Sequence, residues 1–147
     1  MSDSIQSTGF NKAVFWIANG LDVEAIQFAE LFGKELTAPT MKNKEGKEYK
    51  NKNEALTTSQ IRNIYGEVQR LKMKGYNQSG LLLLKPRLAY STERKGTQGS
   101  KDFRSVIEKA IDCVLDGKDE KEKQIRFENF ANFFEAILAY HRSFGGK

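Results

Sequence analysis

The chain has 147 residues, enough for one domain that buries a core without covalent staples. Its single cysteine, Cys113, excludes an internal disulfide and a cysteine-rich zinc site, and with Val114 and Ile111 nearby it reads as a small buried hydrophobe. The formal net charge is +5, but its placement says more than its size: residues 56–104 hold ten Lys/Arg against Glu67, Glu93 and Asp102, a net of +7, whereas the segments on either side each net −1.

The opening MSDSIQSTGF has no basic stretch leading into an apolar one, and no apolar run approaches the roughly 20 residues of a membrane span. The expectation is a soluble, cytoplasmic protein without a membrane partner.

In chain order, FNKAVFWIANG puts Phe10, Ala13, Val14 and Ile17 on one helical side and leaves Phe15 and Trp16 to point elsewhere. That pattern suits a helix buried on both sides, with a docking arm for another subunit as the alternative. Asp22 caps a helix to about Leu36, with Val23, Ile26, Ala29, Phe32 and Leu36 expected inward. From Ala38 to Ala55, two breakers (Pro39 and Gly46), five lysines and three glutamates leave little to bury, so a mobile lysine-rich loop is expected at about 38–55.

Thr57 followed three residues later by Gln60 fits a capping box. The helix it starts carries Ile61, Ile64, Tyr65, Val68 and Leu71 on one stripe and Arg62, Gly66, Gln69 and Arg70 on the other. Gly66 lies mid-helix on the outward face, where glycine costs roughly 1 kcal/mol relative to Ala; it is either tolerated or marks the close approach of another backbone. After Gly75 and Asn77-Gln78-Ser79-Gly80 comes LLLLKPRLAY, in which Pro86 restarts or kinks a helix. Lys85, Arg87, Arg94 and Lys95 crowd around that bend and the helix end. A basic block of this kind points to a polyanion, most often nucleic acid, the alternative being a solvated face kept for solubility.

Ser91 to Ser100 reads as a second polar loop, and its GTQG lacks the Gly-Lys-Ser/Thr of a phosphate-binding loop. Asp102 is expected to cap the next helix, with Phe103, Val106, Ile107, Ala110 and Val114 as a core stripe ending before Gly117. Lys118 to Lys123 alternates in sign and reads as a solvated connection rather than a metal loop. The last helix, from about Ile125 to Phe144, carries Phe127, Phe130, Phe133, Phe134, Ile137, Leu138 and Tyr140, a stripe wide enough for a helix packed by several others. His141 falls in that stripe, where a buried imidazole holding one hydrogen bond is commoner than a general base. With five helical patterns and no segment of period two, the fold expected is all-α: a single compact bundle of five or six helices spanning 1–147.

At LTTSQIRNIYGEVQRL, LLLLKPRLAY and FENFANFFEAILAYHRSFGG the sequence resembles the small helical subunit of type III-A CRISPR effector complexes, the Csm family. The resemblance implies a non-catalytic subunit without cofactor or metal, present in several copies beside the backbone and large subunits. Its implied role in antiviral defence is to line the groove where target RNA pairs with guide RNA, touching the sugar-phosphate chain without sequence preference. Carried over onto this chain, the leading phosphate contacts are Arg62 from QIRNIY, Lys85 and Arg87 from LKPRLAY, and Arg94 after it. Arg70 and Lys95 follow on face and charge alone. Tyr90 would stack on or hydrogen-bond to RNA, although a helix aromatic beside Leu88 is more often core. Tyr140 and Arg142 lie in a family motif and are assigned to packing or subunit contacts.

Two other readings compete. One is a helical adaptor that binds only protein, its basic face meeting an acidic partner. The other is a small ribonuclease using His141, which predicts RNA turnover without partners.

Overall fold

Five residues define where the helices begin. In the computed structural model, which describes residues 12–94 and 96–146, Asp22, Thr57, Asn77, Thr97 and Asp119 are extended N-caps whose side-chain oxygens accept from the N–H three residues on. Each satisfies one of the backbone donors that a helix start leaves unpaired. The helices that follow are α2 (Val23–Thr37), α3 (Thr58–Lys74), α4 (Gln78–Glu93), α5 (Gln98–Leu115) and α6 (Glu120–Ser143). Residues 12–19 are helical ahead of them and are called α1; Phe10, Lys95 and Lys147 lie outside the described residues. Among the described residues this is an all-α bundle with one small two-stranded sheet.

Two of these starts differ from the sequence expectation. Helix α5 begins at Gln98 rather than near Phe103, because the Thr97 hydroxyl is the cap; Asp102 is buried one turn inside and accepts from Gln98 Nε2 at 2.8 Å. Gly99 permits the early start, since a Cβ there would lie 2.5 Å from the Leu56 nitrogen. Helix α6 begins at Glu120 rather than Ile125, so the charged KDEKEK run is largely helical. Asp119 caps it, and Glu120 and Glu122 sit where the helix dipole favours negative charge.

Helix α6 is the axis of the bundle and packs against α2, α3 and α5, with α4 laid across α3 and α5. Phe127, Phe130, Phe133, Phe134 and Ile137 on it are all buried, as the width of its stripe predicts. Phe103 and Phe130 each meet Phe134 edge-on, with centroids 5.5 and 6.2 Å away. Trp16 of α1 enters the same core beside Phe28 and Phe133, at 5.5 and 5.8 Å, while its neighbour Phe15 stays exposed.

On α2 the inward face is turned from the expected one. Ala25, Phe28, Ala29, Phe32 and Leu36 are buried, whereas Val23 is 72% exposed and Ile26 points outward. The helix carries two overlapping apolar stripes, and the one with two phenylalanines buries more surface against α6. Gly33 sets how close the helices come: a Cβ there would lie 2.7 Å from Tyr140 Cβ and 2.8 Å from the His141 nitrogen.

The lysine-rich segment at 38–55 is not an irregular loop. Strands β1 (Thr40–Lys42) and β2 (Glu48–Lys50) pair antiparallel with Met41 opposite Tyr49, and a 3₁₀ turn, Lys52–Glu54, follows. The hairpin has little apolar surface of its own and is held by one buried carboxylate. Glu35 accepts from Thr40 N at 2.6 Å, Thr40 Oγ1 at 3.1 Å and Lys50 Nζ at 2.7 Å. A carboxylate out of water requires such partners, and these three come from both strands.

Candidate nucleic-acid interface

Helices α3 and α4 run antiparallel and are fastened at both ends. Gln60 completes the capping box by accepting from Thr57 N at 2.9 Å, and its amide nitrogen donates to the Ser91 carbonyl at 3.1 Å and to Ser100 Oγ at 2.9 Å. Ser91 Oγ returns a bond to the Gln60 carbonyl at 3.3 Å. At the far end Leu71 fills the space a side chain at Gly80 would need. Pro86 lies inside α4 without ending it. Having no N–H, it leaves one helix carbonyl without its usual donor.

Between the outer faces of these helices lies an open groove of about 880 Å³. Thr57, Ser59, Gln60, Asn63, Ile64 and Glu67 form one wall, and Pro86, Arg87, Tyr90, Ser91 and Arg94 form the other. The floor is apolar at Ile64, whereas hydroxyl, amide and guanidinium groups line the walls. Tyr90, expected in the core, is 69% exposed, and the Arg94 guanidinium lies 5.8 Å from its ring centroid. At that distance the guanidinium charge is within cation–π range of the ring.

The six basic candidates separate in space. Arg87 and Arg94 line the groove together. Arg62 is exposed on α3 beside the groove, outside its lining, and has no ion-pair or hydrogen-bond partner among the described residues. Arg70 stands about two turns beyond Arg62, 3.3 Å from one oxygen of Glu67, whose other oxygen pairs with Arg87. Lys85 turns the other way and pairs with Asp112 of α5 at 2.7 Å. Lys95 lies outside the described residues. Sequence reasoning passed over Ser59, Asn63 and Glu67; their spacing of four places them on one helix face, the signal that would have joined them to the groove.

His141 is sealed within the bundle at 0% exposure, and Gly146 packs directly over its ring. Its Nε2 donates to the Leu56 carbonyl at 2.8 Å, and burial lowers its pKa below the usual imidazole value, with Arg142 acting in the same direction. A general base must reach its substrate, and this ring has no open face to do so.

Fold and groove together define a small helical subunit in which a polar, arginine-edged groove spans two antiparallel helices. The family model for Csm2 Type III-A matches residues 35–147, a stretch that contains the groove and all six basic candidates. The chain belongs to that family and is a small subunit of a type III-A CRISPR Csm complex. No curated protein and no solved structure matches the chain. No helix among the described residues is long and apolar enough to cross a membrane.

Proposed function

We propose that this subunit lines the path of target RNA paired with guide RNA and holds the sugar-phosphate chain through Arg87 and Arg94, with Arg62 and Arg70 flanking them. The observation that carries this reading is the meeting of Arg87, Arg94 and an exposed Tyr90 in one groove, within the segment that holds the chain's whole basic excess. Guanidinium groups bind phosphate oxygens two at a time, and displacing condensed counterions makes such binding strong, salt-sensitive and indifferent to sequence. Guide pairing then supplies specificity. Lys85 and Lys95 are auxiliary contacts, Lys85 having first to leave Asp112.

In this reading the subunit is not an enzyme and needs no cofactor or metal; it helps to assemble a cytoplasmic antiviral complex. Apolar side chains that the bundle leaves exposed, such as Phe15 of α1 and Val23 of α2, suit contacts with backbone and large subunits and with further copies of the chain.

The test is binding of the full chain to two unrelated single-stranded RNAs over a salt series, beside an Arg87→Glu/Arg94→Glu variant. Equal affinity for both RNAs, with equal loss in the variant, supports the reading. Unchanged binding in the variant, or a loss confined to one RNA, refutes it.

A further inference from the structure

Of the two arginines that line the groove, Arg87 is not free. The carboxylate of Glu67, on the α3 wall, takes Arg87 from the opposite wall on one oxygen and Arg70, from the next turn of its own helix, on the other at 3.3 Å. Its side chain is 24% exposed, against 51% for Arg87 and 63% for Arg70, so the anion is the inner member and both cations reach out to solvent.

We infer that Glu67 is a built-in competitor for the nucleic-acid backbone: it occupies Arg70 and Arg87 as a phosphate would, and it selects for ligands that offer several linked phosphates. This rests on the RNA-binding reading above and adds to it which ligand the groove accepts.

A carboxylate presents two acceptor oxygens to a guanidinium fork much as a phosphate does, so Glu67 and a phosphate compete for the same donors of Arg87. Exposed ion pairs contribute little stability, so the exchange is cheap for Arg70 and Arg87, which only need to swing outward. Glu67 itself stays behind as a fixed negative charge that repels the incoming phosphate. A lone phosphate group therefore gains little by replacing it. A chain of phosphates spans Arg87 and Arg94 together and gains the contact at Arg94, which has no ion pair among the described residues, as well as the exchange.

The salt dependence distinguishes this from a merely structural carboxylate. An arginine that trades Glu67 for a phosphate releases no net counterion, because the freed carboxylate gathers a cation in turn. Once the carboxylate is gone, each released arginine contributes its share to the slope, roughly 0.7 per phosphate on a single strand.

The experiment compares the full chain with Glu67→Gln, which keeps the shape and one acceptor oxygen while removing the charge and the other acceptor. The probes are a short single-stranded RNA over a salt series and inorganic phosphate as competitor, with helix content checked by circular dichroism. The expected result is RNA binding about three- to tenfold tighter in Glu67→Gln, as the removal of one or two exposed ion pairs allows. The salt slope should be steeper by about 0.7 to 1.4, and inorganic phosphate should compete measurably better than with the parent chain. The gain should vanish in Glu67→Gln/Arg87→Ala.

If Glu67→Gln binds RNA as the parent does, or more weakly, while Arg87→Glu/Arg94→Glu abolishes binding, the inference is overturned and the RNA-binding reading survives. If neither the parent nor Glu67→Gln binds RNA, both fall.

Discussion

The Nε2 of His141, near the end of α6, lies 2.8 Å from the carbonyl oxygen of Leu56, the residue before the Thr57 cap of α3. Since a carbonyl only accepts, the ring donates from Nε2, and in its neutral form Nδ1 carries no proton. Burial, the largest cause, and then Arg142 hold the folded pKa below 6.5, opposed in part by the bond to Leu56. The unfolded chain therefore takes up the proton first as pH falls. The stability held by the neutral ring is complete above about 6.5 and is lost as the pH drops from there through the folded pKa. Thermal denaturation at a series of pH values should show the midpoint falling more steeply below that pH in the parent chain than in His141→Gln. Replacement by Ala should cost about 2–4 kcal/mol, from the cavity and the orphaned carbonyl together.

Gly33 and Gly66, both in helices, should respond oppositely to alanine. At Gly33 the added methyl would meet Tyr140 and the His141 backbone within 3 Å, so Gly33→Ala should destabilise by about 1–3 kcal/mol despite its better helix propensity. At Gly66 nothing lies within 4 Å, so Gly66→Ala should stabilise the isolated chain by up to about 1 kcal/mol. Urea titration measures both. If Gly66 instead marks where RNA or a neighbouring subunit comes close, the same variant will be stable alone and impaired in the assembled complex.

Removing the charge of Glu35 should release the hairpin before it affects the bundle. Glu35→Gln turns the bond from Thr40 N into a neutral one and loses the charge-assisted pairing with Lys50, together worth about 1–3 kcal/mol. Hydrogen exchange should quicken at the amides of residues 40–50 while those of α6 remain protected.

Cys113 should be inert in the native protein. It is 6% exposed, and burial pushes its thiol above 9.0, against the opposing pull of Arg126. At neutral pH almost none of it is thiolate, so a thiol reagent should modify the native chain at least about a hundredfold more slowly than the unfolded one. Rapid native labelling would place the sulfur at the surface.

The core of α3, α5 and α6 could be read from periodicity, because one helix face of each is apolar and the opposite one charged: Ile61, Ile64 and Val68, then Phe103, Val106, Ile107 and Ala110, then Phe127 to Ile137 all went where a period of 3.6 puts them. Where two faces compete, as on α2, periodicity did not decide, and Phe28 rather than Ile26 turned inward because α6 offered aromatic surface there. The hairpin escaped notice for a related reason: its strands are three residues long and polar, and what orders them is Glu35, five residues earlier and on another element.

The basic block was equally plain as a local excess of charge, since composition alone reveals it. Its division was not. Lys85 and Arg87, two residues apart, point about 200° apart around a helix, one to Asp112 of α5 and the other to Glu67 of α3. By itself the sequence determined that residues 56–104 are strongly cationic and that two helix patterns run through residues 57–90. Only the tertiary structure decided that Arg87 and Arg94 share a groove and that Glu67 already occupies one of them. Charge is a property of residues summed along a chain, whereas an ion pair across two helices depends on the register in which Gln60, Ser91, Leu71 and Gly80 lock them together.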